Sequence, residues 1–155
     1  MPTCEPIDES FFATAPQRWE RSWTVPMSAE AFWPDFVARP LHWCRGLRIR
    51  WTSERPYAVG TTRHVGILGA LQADELFFLW EEGHRMAFHF TRTNLPAFTA
   101  FGEYYQLDPI DEASCRFTWR LAAAPTLLGS LSAPGNKVLI ASLFRDTTRY
   151  LDSLR

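Results

Sequence analysis

The chain reads as a single-domain α+β protein, a curved antiparallel sheet of about seven strands wrapped around one long C-terminal helix. Three observations predict this. From Leu47 onwards, apolar and polar residues alternate with period two, broken only by short Gly, Pro and Asp turns, as in consecutive antiparallel strands. From Asn136 to Arg155 the period changes: Leu139, Ile140, Leu143, Phe144, Thr147, Tyr150, Leu151 and Leu154 recur at i, i+3, i+4 and i+7, an amphipathic helix of about five turns. The length, 155 residues with 46% hydrophobic, is enough for one sizeable core and leaves no room for a second catalytic domain.

Residues 1–16 hold Pro2, Pro6, Pro16 and several acids and read as a loosely held lead-in to a domain spanning 17–155. Gln17–Val25 alternates, with Trp19, Arg21, Trp23 and Val25 on one face, and forms the first strand. Pro26 ends it, and Ser28 caps a helix beginning at Ala29, which Pro34 is expected to keep short. A second short helix or turn is placed over Pro40 to Arg45, which makes two short helices after the first strand. The remaining strands are Leu47–Ser53, Thr61–Leu68, Gln72–Trp80, Arg85–Thr91, Phe98–Leu107 and Ser114–Ala122. Glu81–His84 and Asp108–Asp111 are the turns in this run. The Ala- and Pro-rich stretch from Ala123 to Gly135, with Leu127, Leu128 and Leu131, is either a lid or the packed start of the helix, and packing is the favoured reading. Arg145, Asp146, Arg149, Asp152 and Arg155 fall mostly on the wet side of the last helix.

Composition narrows the function classes. Sixteen Lys+Arg against seventeen Asp+Glu leave a formal charge of −1, which provides no general field for nucleic acid or an anionic membrane. No apolar run is long enough to span a bilayer, and the N-terminus does not read as a signal peptide. Cys4, Cys44 and Cys115 are odd in number and lack a C-x-x-C, so neither a disulfide framework nor a thiolate zinc site is expected, and the cytoplasm is the natural compartment. The histidines, at 42, 64, 84 and 89, show no H-x-H or H-x-x-x-H spacing, so no metal is expected. No G-x-S-x-G elbow and no G-x-G-x-x-G loop is present, and no cofactor is expected. The aromatic residues (12 Phe, 7 Trp and 4 Tyr) suit either a dense core or a lined cavity. A sheet bent around a helix leaves a gap between them, and that gap is a cavity unless large side chains fill it.

This order of elements comes with particular residues: Val25–Trp33 with Leu41-His42-Trp43-Cys44, Gly60-Thr61-Thr62-Arg63, Glu75, and Glu82–Phe88. Tyr104–Pro109 and Phe117-Thr118-Trp119 complete the pattern before the final helix. Together they resemble the START-like helix-grip superfamily (SRPBCC), closest to its bacterial polyketide cyclase/dehydrase-like and lipid-transport members. The resemblance implies a helix-grip fold over 17–155. Because that superfamily hosts carriers, receptors and cyclases, it implies no single activity.

Strand parity selects the candidate polar groups. Phe101, Glu103, Tyr105 and Leu107 share the bulkier face of their strand, which is expected to point inward. Arg63, Val65 and Ile67 share a face, as do Glu75, Phe77 and Leu79, so Arg63 and Glu75 can meet across adjacent strands. His64 and His89 take the opposite, outer face. The expected ligand-lining set is Trp51, Arg63, Glu75, Phe77, Phe88, Phe90, Phe101, Glu103, Tyr105, Phe117, Trp119 and Leu143. The leading expectation is a cavity for a small hydrophobic or amphipathic, lipid- or polyketide-like ligand. One alternative is a cyclase or dehydratase with Glu103 as acid/base and Tyr105 or Arg63 polarising an oxygen. The other is a non-catalytic interaction domain whose aromatics fill the core. Oligomeric state stays open, a homodimer included.

Overall fold

The computed structural model describes residues 1–155. Eleven elements follow in chain order: α1 (Phe11–Thr14), β1 (Gln17–Val25), α2 (Ala29–Ala38), β2 (Leu47–Trp51), β3 (Thr62–Ile67), β4 (Leu71–Glu81), β5 (Arg85–Thr93), β6 (Phe98–Asp111), β7 (Ser114–Pro125), α3 (Leu127–Leu131) and α4 (Ala133–Ser153). The strands form one seven-stranded sheet in the order β1-β7-β6-β5-β4-β3-β2, each neighbouring pair antiparallel. Chain neighbours β2 to β7 are therefore sheet neighbours, and β1 closes onto β7. The sheet and long C-terminal helix are those expected, and the α+β class holds.

Several boundaries differ from the sequence reading, each for a physical reason. Helix α2 runs ten residues, through Pro34 and on to Ala38. Ser28 caps it by accepting from the Ala31 N–H at 3.1 Å. Past Pro34 it is held by burial of Phe36 and Val37, with the Phe36 ring 5.7 Å from Phe32 and 5.3 Å from Phe117, so packing overrides the missing proline donor. Residues 40–45 are turn, not helix. Strand β6 continues through Pro109 to Asp111, so the turn sits at Glu112-Ala113. Asp146, expected on the wet side of α4, is buried and accepts from the Arg45 backbone N–H at 3.0 Å.

The sharpest correction concerns strand parity in β4. The register breaks between Phe77 and Leu79: Phe77 faces Phe88, but Leu79 faces Ala87 and Trp80 faces Met86. Leu79 is thereby moved off the face it was expected to share with Glu75 and Phe77. Trp80 returns inward instead, with its ring 5.1 Å from Phe77 and 6.0 Å from Trp33. One extra residue in a ladder exchanges the two faces downstream.

Residues 1–16, expected to be loose, are fixed to the outer face of the sheet. Beyond the His89–Gly102 pair no pairing joins β5 to β6. Residues 2–5 occupy that gap: Thr93 N–H donates to Pro2 O at 3.0 Å, Cys4 N–H to Thr91 O at 2.9 Å and Glu5 N–H to Thr99 O at 2.7 Å. Further along, the Phe12 ring meets Tyr104 edge-on at 5.5 Å, and Arg85 donates to Glu9 at 2.7 Å. Gly102 is bare where this segment crosses; a Cβ there would lie 2.7 Å from Phe88 O and collide with Ile7. His89 sits on the outer face as expected, yet it is buried.

Candidate functional site

A cavity of about 60 Å³ lies between the inner face of the sheet and α4, room for about two waters. Its apolar wall comes from every side of the grip: Leu47 and Ile49 of β2, Val65 and Ile67 of β3, Phe90 of β5, Leu121 of β7, and Leu139, Ile140 and Leu143 of α4. Period two on the strands and the i, i+3, i+4 stripe on α4 place these residues inward. The remaining gap between sheet and helix is filled, largely by aromatic side chains.

The polar groups converge on this cavity from β3, β4 and β6. Arg63 and Glu75 are direct cross-strand partners and are 1% and 2% exposed. The Arg63 Nε donates to Glu75 Oε2, and Nη2 donates to the Tyr105 hydroxyl at 3.2 Å. Tyr105 in turn donates to Glu103 Oε2 at 2.7 Å, and the same oxygen accepts from the Trp119 indole N–H at 2.8 Å. The Arg63 guanidinium also lies 4.4 Å from the Phe88 ring centroid and 5.1 Å from that of Phe77, within cation–π range. Its Nη1 is buried and has no partner.

Electrostatics divide the two carboxylates. Burial works against the Arg63 charge, but Glu75 and Tyr105 together more than offset it and hold the guanidinium protonated. Burial pushes Glu75 up while Arg63 pulls it back. Glu103 has no cation of its own. Burial first, then the nearby Glu75 charge, push it up to about 7, against the opposing hydrogen bonds from Tyr105 and Trp119. Burial, then the Glu103 carboxylate, hold the Tyr105 hydroxyl well above its usual range, so it remains a donor. The result is one carboxyl group able to exchange a proton near neutrality beside a phenol and a guanidinium that do not.

Of the residues expected to line a cavity, Arg63, Glu75, Phe90, Phe101, Glu103, Tyr105, Trp119 and Leu143 border this one. Trp51, Phe77, Phe88 and Phe117 do not. Trp51, Phe77 and Phe88 pack around the Arg63 guanidinium, and Phe117 packs between Trp23 and Phe36. Asn136 was missed: it borders the cavity from the first turns of α4, with its Nδ2 buried and unpartnered. Its spacing to Ile140 and Leu143, i+4 and i+7, was the available signal. The histidines stay outside: His64 pairs with Asp74 and Gln72, each at 2.8 Å, and His84 with the Leu107 carbonyl at 2.9 Å. No group of three or more His, Cys, Asp or Glu residues has metal-holding geometry.

The short helix α3 leads into the start of α4, which borders the cavity through Asn136. Thr126 caps α3 and donates to Pro96 O at 2.6 Å, and Gly129 presses on the Ala97 backbone. The stretch from Ala123 to Gly135, favoured as the packed start of the helix, ends β7, forms α3 and begins α4, with its leucines turned outward: Leu127 is 84% exposed and Leu131 76%. No helix in the chain is long and apolar enough to cross a membrane.

No family model matches the chain. The uncharacterized protein Rv2574 of Mycobacterium tuberculosis is 32% identical over 99% of this chain and 95% of its own length, and Mb2604 of Mycobacterium bovis matches equally. Among solved structures, a START superfamily protein from Mycobacterium smegmatis superposes with a TM-score of 0.64 over 89% of this chain and 99% of its own, at 10% identity. The ZhuI aromatase/cyclase from Streptomyces sp. R1128 gives 0.63 over 88% and 89%, at 12% identity. A truncated norcoclaurine synthase from Thalictrum flavum gives 0.58 over 82% and 89%, at 14% identity.

Proposed function

The chain belongs to the family that holds Rv2574 and has the helix-grip fold of a START superfamily protein, and on that footing we propose that it binds a small amphipathic molecule between the sheet and α4. One observation carries the reading: an otherwise apolar cavity has a cluster of buried polar side chains in its wall, Arg63, Glu75, Glu103 and Tyr105. A buried ion pair is poor value for stability, since desolvation offsets most of the attraction. Apolar walls with a few convergent polar groups are the usual make-up of a small-molecule site. At about 60 Å³ the cavity is smaller than the roughly 150 Å³ space that takes up a benzene ring. A single-ring ligand would therefore enter with the first turns of α4 displaced, and a longer lipid-like or polyketide-like chain with more of the helix moved. Cys4, Cys44 and Cys115 are all free thiols, which supports a reducing, cytoplasmic setting.

Native mass spectrometry of the purified protein tests this. A stoichiometric adduct, released on denaturation and lost in Leu143→Trp, is expected. An adduct retained equally by the variant would move the ligand out of this cavity. No adduct, together with no saturable binding of single-ring compounds, would favour a filled core.

A second reading has its own observation, the Glu103 carboxyl at about 7 with Tyr105 as its hydrogen-bond donor. Proton transfer to or from a bound carbonyl compound is the chemistry this arrangement supports. In that case Glu103→Gln would abolish turnover while leaving binding intact; a carrier would bind as before and have no turnover to lose.

A further inference from the structure

Two of the side chains bordering the cavity carry buried N–H groups with nothing to bind, the Arg63 Nη1 and the Asn136 Nδ2. They come from opposite layers of the grip, Arg63 from β3 in the sheet and Asn136 from the start of α4. A buried donor without an acceptor is destabilising, and such sites call for a ligand or ordered water. The groups already paired define what the ligand must offer. The Arg63 Nε is engaged by Glu75 and one Nη2 N–H by Tyr105, so the fork edge that pairs Nε with Nη2 is already in use. Arg63 is also the one cation bordering the cavity, and it faces two carboxyl groups, Glu75 and Glu103. The other bordering residues of β1, β2, β5, β7 and α4 bring no charge. A third carboxylate would set three acidic groups against that one guanidinium in a buried site.

We propose that the ligand is a neutral molecule with a hydrogen-bond-accepting oxygen at the Arg63 Nη1 and a second polar group at Asn136, and that anionic headgroups are rejected. This rests on the binding reading above and sharpens it: fatty-acid carboxylates are excluded, whereas neutral ketones, esters, amides and hydroxylated rings are admitted. Water alone at the two donors is the competing occupant.

Three single-ring probes of nearly one shape separate these outcomes: acetophenone, benzoate and ethylbenzene, titrated into the isotope-labelled protein and followed by NMR at about pH 8. Acetophenone is expected to bind about tenfold tighter than either of the others, a difference of about 1.4 kcal/mol, with shifts at the Trp119 indole N–H. Benzoate binding as tightly as acetophenone would overturn the charge argument. Ethylbenzene binding as tightly would show that water already satisfies the donors. If none of the three binds, the binding reading itself fails, and this inference with it.

The Asn136 half has a separate test. Asn136→Ala is expected to weaken 4′-hydroxyacetophenone about five- to tenfold while leaving acetophenone within about twofold. Equal weakening of both probes, or of neither, would remove Asn136 from the site. Glu103→Gln, which removes one of the two carboxylates, is expected to narrow the gap between acetophenone and benzoate; an unchanged gap would overturn the role given to that charge.

Discussion

The two halves of α4 are held by different physics. Its C-terminal half is fastened by directional bonds: Trp43 Nε1 donates to Thr147 Oγ1 at 2.9 Å, Trp23 Nε1 to Thr148 Oγ1 at 2.8 Å, and Arg45 N–H to Asp146 at 3.0 Å. The Trp43 ring stacks on Tyr150 at 4.4 Å, and Phe144 is wedged against Trp23 and Trp119. The N-terminal half borders the cavity through Asn136, Leu139 and Ile140, and Val138 and the α3 leucines are exposed beside it. The fastened half fixes how the helix crosses the sheet. The other half has few partners to lose and is the part a ligand can displace, since weakly packed segments open at the lowest cost.

That contrast can be broken from either side. The largest effect is expected at the fastened end, where Phe144→Ala removes a buried ring and should cost about 3–5 kcal/mol, read as a lower urea midpoint at unchanged slope. Next comes the pH response of the cavity wall. Glu103 is raised from 4.5 to about 7 in the folded chain. Between those values the folded protein holds a proton that the unfolded chain has released, so stability falls as pH rises through the window. Up to about 3 kcal/mol should be lost between about pH 4.5 and pH 7 and not regained above it. Comparing unfolding curves of wild type and Glu103→Gln at each pH isolates this group, and parallel pH profiles would refute the shift. The smallest effect is expected at α3, where Leu127→Ser with Leu131→Ser should change stability by no more than about 0.5 kcal/mol. A loss several times larger would mean these side chains are packed.

The polar half of the site was legible because it depends only on period two and on bulk. Phe101, Glu103, Tyr105 and Leu107 were assigned inward as the heavier face of β6, and Arg63 faces Glu75 in the register alternation allows. What stayed hidden depends on breaks and curvature. The irregularity after Phe77 exchanges Leu79 for Trp80, and no turn residue in Leu76–Trp80 announces it. Whether an inward aromatic borders the cavity or fills the core beside it depends on how the sheet bends, which separates Phe90 and Phe101 from Phe77 and Phe117 although all four are buried. The buried Asp146 was misread because charge was taken as a sign of exposure, and its partner is a backbone N–H about a hundred residues away in sequence.

Residues 2–5 have a consequence for the cavity that their distance from α4 conceals. They are stitched in where β5 and β6 part, and the nearby strand segments carry Phe90, Phe98 and Phe101, three of the rings in the cavity wall. Without that stitch the sheet would have a slot there, and the wall behind those rings would open to solvent. Residues 2–5 therefore work as a gasket for the cavity. An affinity tag placed there, or a trimmed first turn, would be a change to the pocket itself.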